Sequence, residues 1–288
     1  MQKITPDLIQ RRVNWLPSLP ASVLAVSEIA SKEQSTVDDM YRVLEKDPAL
    51  SASVLRLANS SLMLASGTLA SDLRTAIQRL GMDAIINLSQ GIAVIRNYRV
   101  GESLDVVLLW QHSTAVGMTA KAICGYLKLP ALAETAFLAG LLHDIGKIAL
   151  DRCFTKEYMP VVAAVKAGED PLETERKMLN ITHDVVGAQV AFQWKFHESI
   201  IDVIRDHHNP KPGDFLPNLI HYSDLLVRTR LPNGPSDQKL VLNLGSDENF
   251  KEMIFGATKA IPDIEYLTFR IDDEVDRAIE FVQNAYKD

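Results

Sequence analysis

Cysteine is scarce in this sequence. The 288 residues include two cysteines, Cys124 and Cys153, and neither belongs to a Cys-x-x-Cys pair or lies near a third soft ligand. This excludes a disulfide scaffold and a thiolate zinc ribbon. No apolar run reaches the roughly 18 to 20 residues of a membrane helix, and the N-terminus lacks the basic-then-apolar order of a signal peptide. We therefore expect a soluble, cytoplasmic protein with no membrane partner.

Basic residues are in the minority. The chain has 30 Lys and Arg against 37 Asp and Glu, a formal net charge of -7, and no dense basic run. A protein held to nucleic acid by electrostatics needs a regional surplus of Lys and Arg to displace counterions. Nucleic acid is therefore excluded as the expected partner.

Strand-like alternation is rare as well, whereas helical periodicity is frequent. Apolar residues make up 47% of the chain. They recur at the spacing of one buried helix face over residues 49–63, 75–88 and 115–127. Asp47 and Pro48 fit the N-cap and first turn of the first of these helices. The acidic residues 272–274 fit the first turn of a last helix. The sequence therefore predicts an all-α fold.

Polar breaks divide the predicted helices into three regions. Residues 97–103 interrupt the helical pattern, and residues 231–237 contain two prolines and a glycine between polar residues. These breaks predict an N-terminal helical domain over 1–98, a middle helical domain over 99–230 and a helical tail over 231–288.

The middle region carries several polar side chains at positions where its helices are otherwise apolar. These residues are His112, His143, Asp144, His183, His207, His208 and Asp224. Each of them alone has an ordinary explanation. A lone inward histidine is more often a hydrogen-bonded core residue than a ligand, and Asp224 could pair with Arg228 one turn away. Together, however, imidazoles and carboxylates without a thiolate match the ligand set of iron, manganese, zinc or magnesium. For His197 and His221, we expect no metal-binding role; they are surface or packing residues.

The order of these residues resembles the HD superfamily of metal-dependent phosphohydrolases. His112, then His143 with Asp144, then Asp224 follow its H, HD, D order. The later histidines, His183 and the pair at 207–208, resemble those of the HD-GYP branch of that superfamily. The loop at 209–213 contains no Gly-Tyr-Pro. Hydrolysis of cyclic-di-GMP, the activity of that branch, is therefore not the expected function.

The rest of the chain resembles the HDOD family more closely. The segments that carry this resemblance are residues 16–20, 47–60, 76–81, 182–188 and 207–208. Together they cover the chain from about residue 12 to about residue 230. The resemblance implies a bacterial protein with an HD-like multi-helical bundle, in a family whose members usually serve in signalling or regulation.

The resemblance also implies a two-metal site. His112, His143, Asp144 and Asp224 would hold one divalent ion, and His183, His207 and His208 would hold a second, with Asp144 shared. Iron or manganese is the expected metal, with magnesium, zinc and nickel as alternatives. Asp144 would act in catalysis, and Lys147 would meet a phosphate oxygen. The alternative for Lys147 is a cation that stabilises a helix C-terminus.

Two functions stay open at this point. The first is a metal-dependent phosphohydrolase, a phosphodiesterase or phosphomonoesterase, acting on a small phosphorylated ligand or nucleotide. The second is a catalytically inert signalling or scaffold module with a residual metal or ligand site and a protein partner. Leu108 favours the second, because some HD-GYP enzymes carry an extra glutamate ligand four residues before the first histidine.

Overall fold

The computed structural model describes residues 4–30, 35–59, 69–99, 101–231, 247–258 and 264–286. Every regular element within these ranges is a helix, and none of them contains a strand. The all-α prediction is therefore confirmed. No helix in the described part of the chain combines the length and the apolar character that crossing a membrane requires.

The described residues fall into two compact units, one within 1–16 and 100–276 and the other within 17–99 and 277–288. We call them the large unit and the small unit. Each unit is defined by the contacts among its own residues. The predicted division into domains over 1–98, 99–230 and 231–288 stays a prediction.

In the described part of the segment 17–99, the small unit has five helices that follow one another in the chain. They are α2 (Ala21–Ala30), α3 (Val37–Leu44), α4 (Pro48–Ala58), α5 (Leu73–Leu80) and α6 (Met82–Asn97). At the start of α4, the side chain of Asp47 accepts a hydrogen bond from the Leu50 amide, and Pro48 occupies the first turn. This N-cap is the predicted one. The helix ends at Ala58, and residues 60–63 of the predicted window lie outside the described residues.

The prediction of one helix over 75–88 is wrong. Helix α5 ends at Leu80 and α6 begins at Met82, with Gly81 between them at a φ of 85°. That left-handed conformation stops a helix, and glycine adopts it without a steric cost. The apolar periodicity continues across the break because both helices face the core of the small unit.

Ten further helices of the described residues belong to the large unit. They are α1 (Pro6–Val13), α7 (Val106–Tyr126), α8 (Pro130–Leu142), α9 (Ile145–Cys153), α10 (Thr155–Lys166), α11 (Pro171–Leu179), α12 (His183–Gln193), α13 (Glu198–Asp206), α14 (Phe215–Arg228) and α15 (Glu248–Thr258). The predicted helix over 115–127 lies within α7 apart from its last residue, Leu127, which is the C-cap. The final helix, α16 (Ile264–Tyr286), starts earlier than predicted, so residues 272–274 lie inside it rather than in its first turn.

Candidate metal centre

Two glycines bring His112 and His143 together. Gly117 of α7 and Gly140 of α8 lie so close that a β-carbon added at Gly140 would be 2.5 Å from the Gly117 Cα. This contact lets the two helices approach along their backbones. His112 lies in α7, and His143 is the C-cap of α8. The Gly140 carbonyl also lies 2.6 Å from Nδ1 of His143, which therefore carries the proton and leaves Nε2 directed at the site.

A second pair of glycines brings His183 to Asp144. Gly146 of α9 and Gly187 of α12 pack against each other, and a β-carbon at Gly187 would be 3.0 Å from the Gly146 amide nitrogen. The space beside His183 is therefore filled by the backbone of Gly146. Asp144 lies in the turn between α8 and α9, not on a helix together with His143.

The remaining candidates come from α13 and α14. His207 follows the last residue of α13, and its Nδ1 lies 2.9 Å from the Ile204 carbonyl oxygen, so its Nε2 also faces inward. His221 of α14 has its Nδ1 2.7 Å from the His207 carbonyl oxygen. Asp224 lies nearly one turn after His221 on the same helix and is buried.

One oxygen of Asp144 faces the first group of ligands. Asp144 Oδ2 lies 3.4 Å from Nε2 of His143 and 4.0 Å from Nε2 of His112. Asp224 Oδ1 completes this side, 3.0 Å from Nε2 of His112 and 4.0 Å from Nε2 of His143. His112, His143 and Asp144 each offer a donor atom within 4.8 Å of the others, and Asp224 lies beside the two histidines. These are donor types that divalent metals bind.

The other oxygen of Asp144 faces the second group. Asp144 Oδ1 lies 3.1 Å from Nε2 of His183 and 3.8 Å from Nε2 of His207. The Nε2 atoms of His183 and His208 are 2.8 Å apart. All four residues offer a ligand atom within 4.8 Å of the others. Asp144 therefore belongs to both groups, with one oxygen directed at each.

Several buried atoms of the cluster lack the partners that a bound cation would supply. Asp144 Oδ1 and His207 Nε2 are buried and have no hydrogen-bond partner in the described structure. Leaving such groups unpaired costs about 1–3 kcal/mol each. The facing nitrogens of His183 and His208 repel each other as lone pairs unless a proton or a metal ion lies between them. A cation bound to these donors would satisfy all of them.

The carboxylates of the cluster are held in their ionised form. Burial opposes the charge of Asp144, but the positive charges of His143 and Lys147 outweigh it and keep its pKa well below the usual value. The pKa of Asp224 is also well below its usual value, because a hydrogen bond and charge from His112, together with Arg228, outweigh burial. Both side chains are therefore ready to bind a cation.

The histidines differ in charge. Burial lowers the pKa of His183, but the neighbouring Glu175 carboxylate reverses this effect and raises the pKa to about 10. Burial and the positive charge of His143 lower the pKa of His207 to about 3. Burial and His207 also lower the pKa of His208 far below its usual value. His207 and His208 are therefore neutral near pH 7, which is the form that binds metals.

A small cavity opens onto the cluster. Its volume is about 50 Å³, and it is lined by Asp144, Lys147, Asp170, Pro171, Leu172, His183, His208, Asp224 and Arg228. Two positively charged side chains line this cavity. Lys147 donates a hydrogen bond of 2.7 Å to Asp144 Oδ2, and Arg228 has its Nη1 3.5 Å from Asp224 Oδ2. Lys147 lies in the first turn of α9, and the alternative of a cation at the C-terminus of α8 stays open.

All seven predicted ligands therefore meet in one cluster of the large unit, and their binding of metal stays a prediction. Arg228 pairs with Asp224 as the ordinary explanation proposed, in addition to the contact of Asp224 with His112. His197 caps α13 by accepting a hydrogen bond from the Ser199 amide, outside the cluster. Leu108, four residues before His112 on α7, is 37% exposed.

Sequence analysis missed the buried Glu175 of α11. Its Oε2 lies 2.8 Å from Nδ1 of His183. The charged neighbours Glu173 and Arg176 make α11 resemble a solvent-exposed helix. The available signal was the spacing of four residues that places Glu175 on one stripe with the buried Pro171 and Leu179.

Comparison with known proteins places this all-helical, HD-like structure in a family. The HDOD domain family profile matches residues 16–210. The match covers more than half of the chain, and the chain belongs to the HDOD domain family. A Treponema pallidum (strain Nichols) protein, described only as uncharacterized, is 24% identical over 228 residues. This segment is 76% of the chain and 44% of the relative, so the chain spans less than half of that protein's length.

Two solved structures share the fold. An HDOD domain protein of unknown function from Geobacter sulfurreducens is 24% identical, with a TM-score of 0.81 and 97% of each chain covered. A candidate phosphohydrolase from Shewanella amazonensis SB2B is 24% identical, with a TM-score of 0.75 and coverage of 96% of this chain and 98% of that one. At this level of identity, the likeness establishes the fold alone.

Proposed function

We propose that this HDOD protein is a bacterial metal-dependent phosphohydrolase with two divalent ions at the buried cluster. The observation that carries the proposal is the position of Asp144, whose two oxygens face two separate groups of histidine ligands. Bridging carboxylates of this kind are typical of two-metal sites. The fold shared with a candidate phosphohydrolase from Shewanella amazonensis agrees with this class of reaction.

The residues divide between the two ions. His112, His143, Asp144 and Asp224 would hold one ion, and Asp144, His183, His207 and His208 would hold the other. When bound, two divalent cations supply a nucleophilic water near neutral pH and neutralise charge on a phosphate. Iron or manganese suits the imidazole and carboxylate donors, and magnesium, zinc and nickel are the alternatives.

The chain's own residues bind and orient the substrate. Lys147 lies at the cavity with its ammonium group on Asp144 Oδ2, where it can turn to meet a phosphate oxygen as a flexible point charge. Arg228 lines the same cavity beside Asp224 and adds a second positive group. Both would bind an anion. The substrate is therefore a phosphate ester, either a small phosphorylated molecule or a nucleotide.

The size of the cavity favours a second candidate function. Sites for small molecules usually measure about 300 to 1,000 Å³, whereas this cavity of about 50 Å³ has room for little more than a water molecule or two. In this conformation the site could hold metal ions without admitting a substrate. A regulatory or scaffold protein with a metal site and a signalling protein partner would need no larger opening.

An assay of phosphate-ester turnover distinguishes a phosphohydrolase from a regulatory or scaffold protein. The purified chain is loaded with Mn²⁺ or Fe²⁺, its metal content is measured, and it is assayed with phosphodiester and phosphomonoester substrates. For a phosphohydrolase, we expect two ions per chain and turnover that Lys147→Gln reduces by at least tenfold. The matched control is Lys166→Gln, which removes an exposed lysine of α10. Two bound ions without turnover of any phosphate ester would favour the regulatory function.

A further inference from the structure

Glu175 is a buried carboxylate that does not line the cavity, although it contacts a candidate ligand twice. Its side chain is 1% exposed. Oε2 accepts a hydrogen bond of 2.8 Å from the backbone amide of His183, and the same oxygen lies 2.8 Å from Nδ1 of that histidine. The carboxylate therefore holds both the backbone and the ring of His183.

The other oxygen of Glu175 is held as well. The Tyr158 hydroxyl of α10 donates a hydrogen bond of 3.3 Å to Oε1. Burial and the Glu175 charge raise the pKa of Tyr158 well above its usual value, so the hydroxyl keeps its proton. Because both oxygens are bound, the carboxylate cannot rotate without losing a hydrogen bond.

The contact with Glu175 decides which nitrogen of His183 carries a proton and which one offers a lone pair to the cluster. A carboxylate only accepts hydrogen bonds, so Nδ1 of His183 must carry a proton. In the neutral ring, Nε2 then carries the lone pair, and Nε2 is the atom that faces Asp144 Oδ1 and His208 Nε2. His143 and His207 are oriented by the neutral carbonyls of Gly140 and Ile204. Among these three rings, His183 is the one whose Nδ1 meets a carboxylate.

We propose that Glu175 is a positioning residue that fixes the tautomer and the angle of His183, so that His183 and His208 can bind one cation together. This inference rests on the proposed function, because it assumes a cation on the His183 side of Asp144. A carboxylate behind a ligating histidine fixes its ring and raises its basicity, and losing one typically costs 10- to 100-fold in metal affinity. The affinity for the other cation, beside His112 and His143, should not depend on Glu175.

The test is titration of the full-length chain with Co²⁺ and with Mn²⁺, by calorimetry and, for Co²⁺, by visible absorption. We expect Glu175→Gln to weaken one of the two binding events by 10- to 100-fold and to leave the other within about twofold. The matched control is Glu173→Gln, which changes an exposed glutamate of the same helix and should weaken neither. Nitrogen NMR of the imidazoles with diamagnetic Zn²⁺ bound should place the His183 proton on Nδ1 in the wild type. At the same Zn²⁺ concentration, Glu175→Gln should show a mixture of tautomers, because His183 is released from the metal.

The outcomes separate a positioning role from a structural one. Thermal unfolding of the metal-free variants identifies any that are not folded, and Tyr158→Phe, which releases Oε1 alone, replaces Glu175→Gln if that variant fails. Equal loss of both binding events, or unchanged affinity in a folded Glu175→Gln, would overturn the role of Glu175 while the metal site stands. Failure of the wild type to bind either cation would instead contradict the proposed function and this inference with it.

Discussion

The backbone of Gly146 passes so close to His183 that a β-carbon at residue 146 would lie 1.8 Å from the His183 carbonyl oxygen. The next nearest atom, the amide nitrogen of Gly187, would be 2.7 Å away. Both obstacles are backbone atoms, which a change of rotamer cannot move. The contact between α9 and α12 therefore sets how near Asp144 and His183 can come.

We predict that Gly146→Ala lowers the free energy of unfolding by at least about 1–3 kcal/mol and lowers metal content as well. The added methyl group must push α12 away from α9, which is the cost of overpacking. Denaturant unfolding of the metal-free protein and elemental analysis measure the two effects. The control is Gly125→Ala, at an exposed position of α7 where a β-carbon meets nothing within 4 Å. That variant should be as stable as the wild type or slightly more stable. Normal metal content in Gly146→Ala would contradict the role of this contact.

Replacing the shared carboxylate tests the two-sided cluster. Asp144→Asn is expected to abolish both metal-binding events, because both groups of ligands include this residue. It should also lower the free energy of unfolding of the metal-free protein by about 3–5 kcal/mol, since it leaves the buried Lys147 without its charged partner. Elemental analysis and urea unfolding in the presence of a chelator measure these effects. His197→Ala should leave the metal content unchanged and cost no more than the loss of its N-cap hydrogen bond, about 0.5–2 kcal/mol. Unchanged metal content in Asp144→Asn would show that the ligand assignment is wrong.

The N-cap of α4 gives a prediction that is independent of metal. Burial disfavours the charge of Asp47, but hydrogen bonds from the Leu50 amide and the Ser22 hydroxyl outweigh it and lower the pKa of its carboxyl. Asp47→Ala should cost about 0.5–2 kcal/mol near neutral pH. A lowered folded-state pKa means that the stabilisation is present above the unfolded pKa of about 3.9 and is lost as the pH falls through the folded value.

The stability difference between wild type and Asp47→Ala should therefore be constant from about pH 6 to 8 and shrink below about pH 4. Asp47→Asn retains a capping oxygen without a charge, so its stability difference should be smaller and nearly independent of pH. Thermal unfolding across this range measures both variants. A difference that grows as the pH falls would contradict the assigned direction of the pKa.

The two thiols should react slowly in the native protein. Burial raises the pKa of Cys124 to about 11, and it raises that of Cys153 to about 11 against the opposing charge of Arg12. The thiolate is the reactive form. Reaction with a chromogenic disulfide reagent near pH 8 should therefore be slow in the native state and complete within minutes in denaturant. Cys124→Ser isolates the second thiol, and fast native labelling of that variant would contradict the raised pKa of Cys153.

The inward positions of the candidate ligand histidines were predictable, because the helical patterns that indicate them hold in the folded chain. His143 closes an apolar helix, and His112 lies within a helix whose inward face is buried. Their joint order also resembled a known superfamily. The sequence could not supply the division of the cluster into two sides, because this depends on which oxygen of Asp144 meets which helix.

Other features depend on contacts between distant segments. Glu175 is held by His183 and Tyr158, which lie on other helices, and its charged neighbours on α11 conceal its burial. The backbone of Gly146 packs against Gly187, and no local pattern in the sequence indicates this contact. Residues 170–172, at the start of α11, line the cavity, and no local sequence pattern indicates this position.

The most direct test of the central claim is a crystal structure of the chain grown with excess Mn²⁺, with anomalous diffraction recorded at the manganese edge. We predict two anomalous peaks, one on each side of Asp144. The first should be bound by His112, His143 and Asp224, and the second by His183, His207 and His208. A map with no peak among these side chains, or with both peaks elsewhere in the chain, would contradict it.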